Sequence, residues 1–320
     1  MNENIIKNLR LFNNFLDRIL PSTDDNNKRQ VFDIVEEDKR HIYEVSDKEE
    51  VFEGISKVGT DENRKNSDSF IVMTHPKDDS YKMMLIAEGI GYLVDGKSKK
   101  VKTTGDYITD NLKKWFSSLD RKTLELFNTY EFNRTLKHCM RKMDTKIRSV
   151  NGEHGAKMIM ALIGPEQTII ANIGDLRCYL ASGYDIGQYN EEDSRLWRQY
   201  REGYFWNKDE LRFNIDRDKY VSLFGKDKEG FLSTYVVDNS IYDRIYLFSR
   251  GVIEGVSEDQ LLLLNVDSPA NRVVGDIIDN ASDGRKEYIS FYDGDCSYIE
   301  PVVRGAKDST ACVYVKKLVK

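Results

Sequence analysis

Length, composition and charge limit the classes of protein to which this chain can belong. With 320 residues, a 40% hydrophobic fraction and 11% aromatic residues, the chain is long enough to bury a large core, which excludes global disorder. The formal net charge of −6 argues against a dedicated nucleic-acid-binding protein. Four scattered cysteines without a C-x-x-C pair indicate free thiols in a reducing compartment. We therefore expect a cytoplasmic protein without a signal peptide or a membrane span.

Residues 1–50 are predicted to form an N-terminal extension. Apolar residues recur at helical spacing over residues 2–20 and end at Pro21, which predicts an amphipathic helix. The polar face of this helix is not strongly basic, so packing on its own domain is expected more than docking on a membrane or a partner. Residues 30–35 and 41–45 are predicted to form either short strands or an ordered lead-in to the domain.

From residue 51 onward, strand and helix periods alternate clearly. The predicted strands are 52–58, 69–74, 82–87, 157–163, 167–172, 177–181, 231–237, 244–248 and 311–316. The predicted helices are 105–119, 122–150, one that begins at the capping box 257–260, and 268–280. Strand pairs that alternate with helix pairs predict an α/β (α+β) sandwich of two packed sheets covered by helices.

Six short motifs at the ends of these elements carry a family resemblance. They are N-S-D-S-F at 66–70, A-E-G-I-G at 87–91, A-N-I-G-D-L-R-C-Y-L at 171–180, L-F-G at 223–225, D-R-I-Y-L-F-S-R-G-V at 243–252 and D-S-T-A-C-V at 308–313. In this order they resemble the protein phosphatase 2C (PPM-type) family. The resemblance implies an α-β-β-α sandwich over residues 51–320, with two central, mainly antiparallel sheets flanked by helix pairs.

The resemblance also implies a metal-dependent chemistry. Members of the family hydrolyse phosphoserine and phosphothreonine with two Mn²⁺ or Mg²⁺ ions that share a bridging water. The bridging carboxylate falls on Glu88 and a ligating backbone carbonyl on Gly89. The further carboxylates of the first ion fall on Arg250 and Asp308. Asp175 stands at a hairpin position associated with a third, weaker metal, although stabilisation of the turn is the favoured role for it.

Two other site positions depart from the family pattern. Ser67 replaces the glutamate that holds the second ion through water, and Asp68 lies beside it. The phosphate-binding arginine falls on Asn63. The neighbouring Arg64 would point to the opposite face of a regular strand, so its role as a phosphate ligand is doubtful.

The charge of the site therefore changes. The family presents five acidic groups at these positions, whereas this chain presents three acidic groups and one arginine, Arg250. The positive charges of Arg250 and of a metal ion a few ångströms away would repel each other by several kcal/mol. We therefore expect no metal at the first position. We expect Arg250 to pair with Asp308, Glu88 or both, as an internal cation in the vacated position.

Two functional hypotheses follow. The first is a pseudophosphatase with a degenerate metal site and no cofactor, which is regulatory or binds a phosphoprotein or another protein partner. The alternative is an impaired but active Mn²⁺- or Mg²⁺-dependent phosphoserine/phosphothreonine phosphatase. Arg250 and Ser67 favour the first hypothesis.

Overall fold

The computed structural model describes most of the chain from residue 39 onward. The described residues are 39–43, 51–59, 66–94, 101–150, 154–205, 208–212, 214, 221–226, 232–267, 272–284, 286–293, 296–303, 305 and 307–316. The predicted helix over 2–20, the predicted strand at 30–35 and Arg64 lie outside these residues. Within the described part, no helix is long and apolar enough to cross a membrane.

The described strands form two large sheets and two small hairpins. The strands are β1 (Lys39–Tyr43), β2 (Val51–Lys57), β3 (Asp68–His75), β4 (Asp78–Ile90), β5 (Tyr92–Val94), β6 (Val101–Thr103), β7 (Gly155–Ile163), β8 (Gln167–Ile173), β9 (Arg177–Ser182), β10 (Asp185–Gln188), β11 (Ser233–Asp238), β12 (Arg244–Phe248), β13 (Lys286–Asp293), β14 (Cys296–Val303) and β15 (Ser309–Val315). One sheet has the order β1-β2-β15-β12-β9-β10, and the other has the order β11-β8-β7-β4-β3. The pairings between strands are antiparallel throughout the described residues.

The described helices flank these sheets. They are α1 (Thr104–Ser118), α2 (Arg121–Glu125), α3 (Tyr130–Arg148), α4 (Arg195–Arg201), α5 (Asp209–Arg212), α6 (Arg250–Gly255), α7 (Glu258–Asp267) and α8 (Val273–Ala281). The long helix predicted over 122–150 is divided into α2 and α3. Asn128, with φ of 62°, lies between them in the left-handed conformation that asparagine tolerates, and the Thr129 side chain caps α3.

The helices cover the outer faces of the two sheets, so the layers follow the order α-β-β-α. Strand β4 shows how the layers arise: Met83 and Leu85 pack with α1 and α3, whereas Met84 and Ile86 face the other sheet. The side chains of α6 and α8 pack on the outer face of the six-stranded sheet. A strand buried on both faces explains the continuous apolar run of β4. The predicted sandwich of two antiparallel sheets flanked by helices is confirmed.

Two features were not predicted from the sequence. Strand β1 overlaps the short strand predicted at 41–45, but its pairing with β2 makes it part of the six-stranded sheet, although residues 1–50 were assigned to the extension. The segment before Asp308, in which no strand was predicted, contains the β13–β14 hairpin.

Candidate functional site

Three ionisable residues form a row across the five-stranded sheet. Asp68 of β3 lies directly opposite Glu88 of β4, and Glu88 lies directly opposite Lys157 of β7. Directly opposite residues in an antiparallel pair place their side chains on the same face. Glu88 alternates with the same phase as Met84 and Ile86, so this row, which we call the polar row, continues the face between the two sheets.

The six-stranded sheet supplies Arg250 and Asp308 at the same end of the sandwich. Arg250 begins α6 two residues after the end of β12, and Asp308 comes directly before β15. Because β12 and β15 are antiparallel neighbours, the end of one lies beside the start of the other. The Thr310 hydroxyl donates to Asp68 Oδ2 over 2.8 Å, which ties this sheet to the polar row.

Asp308 accepts hydrogen bonds from two loop segments. Its Oδ2 accepts from the backbone N–H of Ser67 at 2.8 Å and from the Ser67 hydroxyl at 3.0 Å. Its Oδ1 accepts from the backbone N–H of Gly59 at 3.1 Å. The carboxyl group therefore fastens the segments after β2 and before β3, and Ser67 contacts it as a hydrogen-bond donor.

Lys157 places its ammonium between two carboxyl groups. The distance from Nζ is 2.9 Å to Asp175 Oδ1 and 3.7 Å to Glu88 Oε2. The Lys157 side chain is 7% exposed and that of Asp175 is fully buried. Burial alone would lower the pKa of Lys157, but the neighbouring Asp175 and Glu88 carboxyl groups raise it above its ordinary value. The ammonium therefore stays charged.

Arg250 pairs with a residue that the sequence prediction did not consider. Its Nε donates to Glu254 Oε1, one helical turn further along α6. Burial opposes the charge of the guanidinium, but Glu254, Asp175 and Glu88 raise the pKa of Arg250. The expected pairing with Asp308 or Glu88 is thus corrected to Glu254. The physical reason is the i,i+4 spacing, which brings two helical side chains together locally.

Asp68 lies at the crowded end of the polar row. Burial, together with the charges of Glu88 and Asp308, raises the pKa of Asp68 well above its usual range, although hydrogen bonds from Thr310 and Ser249 act in the opposite direction. Asp68 is 1% exposed. The protonated form of Asp68 therefore relieves part of the repulsion among the carboxyl groups.

Gly89 has a packing role in addition to its place in the motif. Its backbone N–H donates to the carbonyl of Ser67 at 3.0 Å. A Cβ at this position would lie 2.4 Å from the backbone nitrogen of Gly105 in the first turn of α1. Glycine is therefore required for the close approach of β4 to α1.

The structure brings most of the sequence-predicted site residues to this end of the sandwich. Contacts or electrostatic interactions link Ser67, Asp68, Glu88, Gly89, Asp175, Arg250 and Asp308. Lys157 and Glu254 were missed. A signal for Lys157 was present, since a lysine interrupts an otherwise apolar run in 155–163.

A bound Mn²⁺ or Mg²⁺ ion prefers several oxygen ligands arranged around it. Among the described residues, no group of three or more His, Cys, Asp or Glu side chains is arranged to hold a metal ion. The Lys157 ammonium contacts the oxygens of Glu88 and Asp175 that a cation would use. A dication on the same oxygens would lie a few ångströms from this ammonium and be repelled by it. The residues present do not fit such an ion.

The chain is similar to bacterial phosphatases. Over 190 residues it is 22% identical to the serine/threonine phosphatase stp of Listeria monocytogenes serovar 1/2a. The match covers 57% of this chain and 71% of that protein. No protein-family model matches the chain.

Solved structures of phosphatases share the fold. A bacterial serine phosphatase matches with a TM-score of 0.64 at 17% identity, covering 82% of this chain and 96% of the other. Stp1 from Staphylococcus aureus matches with a TM-score of 0.62 at 15% identity, covering 83% and 94%. The catalytic domain of PstP in complex with two manganese ions matches with a TM-score of 0.58 at 16% identity, covering 83% and 98%. The predicted resemblance to the protein phosphatase 2C family is confirmed; at these identities the solved structures establish the fold.

Proposed function

We propose that this chain is a protein phosphatase 2C-like pseudophosphatase, which keeps the fold and acts by protein contact without hydrolysing phosphate esters. The observation that carries the proposal is the position of the Lys157 ammonium between Glu88 and Asp175. Metal-assisted hydrolysis depends on a cation that lowers the pKa of a bound water and polarises the phosphoryl oxygens. An ammonium supplies a positive charge but offers no coordination site for a water nucleophile.

The contacts of Arg250 and Asp308 support the same proposal. Both stand at positions to which the family resemblance assigns carboxylate ligands, and neither is oriented by its contacts for that role. The Arg250 guanidinium is bound to Glu254, and both oxygens of Asp308 accept N–H groups. Rebuilding a metal centre would break these contacts as well as the ion pairs of Lys157.

The electrostatics favour a protein partner that binds away from the polar row. Among the described residues around the row, carboxyl groups outnumber basic groups, and Lys157 and Arg250 are each bound to carboxyl groups. A phosphate group entering there would meet the carboxyl groups without finding a free cation among these two. We therefore propose recognition of a protein partner through the surface of the domain, with regulation as the role.

Two measurements test the proposal. Hydrolysis of p-nitrophenyl phosphate and of a phosphothreonine peptide, assayed in millimolar Mn²⁺ or Mg²⁺, is expected at the level of the buffer. Calorimetric titration with MnCl₂ is expected to give only the heat of dilution.

The variant Asp308→Ala distinguishes the proposed pseudophosphatase from the alternative hypothesis, an impaired but active phosphatase. Turnover in the unmodified protein that disappears in Asp308→Ala would establish an impaired Mn²⁺- or Mg²⁺-dependent phosphatase and overturn the proposal. Asp279→Ala is the matched control, because Asp279 lies on the exposed side of α8 and its side chain is 79% exposed.

A further inference from the structure

We propose that Lys157 is a built-in counter-ion that holds Glu88 and Asp175 together in place of a bound cation, and that removing its ammonium opens a site for a divalent metal. This inference deepens the proposed function and rests on it. The ammonium joins three separate elements: β7, which carries Lys157, β4, which carries Glu88, and the turn between β8 and β9, which carries Asp175.

Burial makes the ion pairs strong and their loss costly. The side chains of Lys157 and Asp175 are 7% and 0% exposed, and that of Glu88 is 21% exposed. Attraction between charges grows as water is excluded, and an isolated buried charge is strongly unfavourable. The lysine therefore has to be paired, and the two carboxyl groups need a cation between them.

The backbone provides a dedicated space for the lysine stem. Gly174 comes directly before Asp175, and its φ of +100° favours glycine. A Cβ at Gly174 would lie 2.9 Å from both Cβ and Cγ of Lys157. The same glycine that lets the chain turn toward Asp175 thus leaves room for the side chain that pairs with Asp175.

The position of the ammonium defines what would replace it. Two carboxyl groups that share one ammonium, together with the buried carboxyl group of Asp68 opposite Glu88 in the sheet, are oxygen donors of the kind that hard divalent cations prefer. Lys157→Ala removes the positive charge and shortens the side chain by four heavy atoms. We expect the vacated space to admit Mn²⁺ with water completing its coordination.

The experiment compares thermal unfolding with and without MnCl₂. The unmodified protein is expected to show the same Tm in EDTA and in MnCl₂. Lys157→Ala is expected to have a Tm lower by roughly 5–10 °C in EDTA, as is typical when a buried ion pair loses one partner. MnCl₂ at about 100 times its dissociation constant should then raise the folding constant of Lys157→Ala about 100-fold.

Lys82→Ala is the matched control. Lys82 is also buried and lies on the same strand as Glu88, six residues away, which is about 20 Å along the strand. Its ammonium binds the carbonyl of Asp79 and lies 5.7 Å from the centre of the Tyr314 ring. Its removal is expected to lower the Tm without any recovery in MnCl₂.

A double substitution keeps the test decisive if Lys157→Ala does not fold. In Lys157→Met the stem remains and the charge is lost, so adding Asp175→Asn should restore part of the lost Tm by removing the carboxylate that had lost the Lys157 ammonium. A Lys157→Met protein as stable as the unmodified one, or no recovery on adding Asp175→Asn, would overturn the counter-ion role.

If Lys157→Ala folds and MnCl₂ does not raise its Tm, the metal part of the inference is overturned, while the proposed function stands. A rise of Tm in the unmodified protein with MnCl₂ would instead overturn the proposed function.

Discussion

Asp308 is expected to act as a structural clamp in this chain, and Asp308→Ala tests that role. The substitution removes the acceptor for the backbone N–H groups of Ser67 and Gly59 and for the Ser67 hydroxyl. These donors belong to the segments that follow β2 and precede β3. Without the carboxyl group, both segments lose the contact that holds them beside the end of β15.

The size of the effect follows from the number and kind of hydrogen bonds. A hydrogen bond to a charged group contributes about 1.5–3 kcal/mol, and three bonds to one carboxyl group are not additive. Asp308 is half-buried, so water replaces part of the lost interaction. We expect a loss of about 2–4 kcal/mol in the free energy of unfolding, or a decrease in Tm of about 5–10 °C.

Urea unfolding followed by tryptophan fluorescence measures this loss, with Asp279→Ala as the control. Asp279 lies 3.7 Å from the Lys57 ammonium but is 79% exposed, so its removal should change stability by less than about 1 kcal/mol. Asp308→Asn should be less stable than Asp279→Ala and more stable than Asp308→Ala, because its amide oxygen can accept from one backbone N–H whereas its NH2 group cannot accept from the other. If Asp308→Ala were as stable as Asp279→Ala, the carboxyl group would not act as a clamp.

Three further predictions concern groups away from the polar row. Arg177 and Glu192 form a buried ion pair at 2.6 Å with both side chains 2% exposed, so Glu192→Ala should lower the free energy of unfolding by about 3–5 kcal/mol in urea titrations. Burial raises the pKa of the Cys178 and Cys312 thiols far above the ordinary value, so a thiol reagent at neutral pH should label them only as fast as the protein unfolds. Burial lowers the pKa of His75 below 6.5, so the unfolded state binds more protons below that pH; stability should fall on acidification, and His75→Gln should reduce that slope in urea titrations at pH 5–7.

The fold and the meeting of the site residues were predictable because the motifs stand at strand ends. Strands such as β3, β4, β12 and β15 were visible from their apolar patterns, and the antiparallel pairing of neighbours places their ends together. The division of α2 from α3 was not visible, because the apolar stripe continues through the left-handed residue Asn128. The β13–β14 hairpin was not predicted, although Gly-Asp at 294–295 is a sequence typical of a two-residue hairpin connection.

The ion pairs were harder to predict than the fold. The pairing of Lys157 with Glu88 depends on the register between β4 and β7, which are separated by more than sixty residues in sequence. The i,i+4 spacing of Arg250 and Glu254 is sufficient to predict their ion pair. The family positions instead predicted that Arg250 pairs with Glu88 or Asp308. Local helix geometry determined the contact of the arginine.

On the proposed function, the carboxyl groups of the site are compensated without a metal, and this compensation is distributed over several residues. Lys157 offsets part of the charge of Glu88 and Asp175, N–H groups satisfy Asp308, and the raised pKa of Asp68 favours its neutral form. These three devices lie on different strands and turns, and the Arg250 guanidinium also acts electrostatically on Asp175 and Glu88. Reversal of Arg250 alone to a carboxylate would therefore add a negative charge beside Glu88 while the Lys157 ammonium still occupied the space between the carboxyl groups. On the proposed function, Lys157 is consequently the residue that most directly keeps this site from binding a metal.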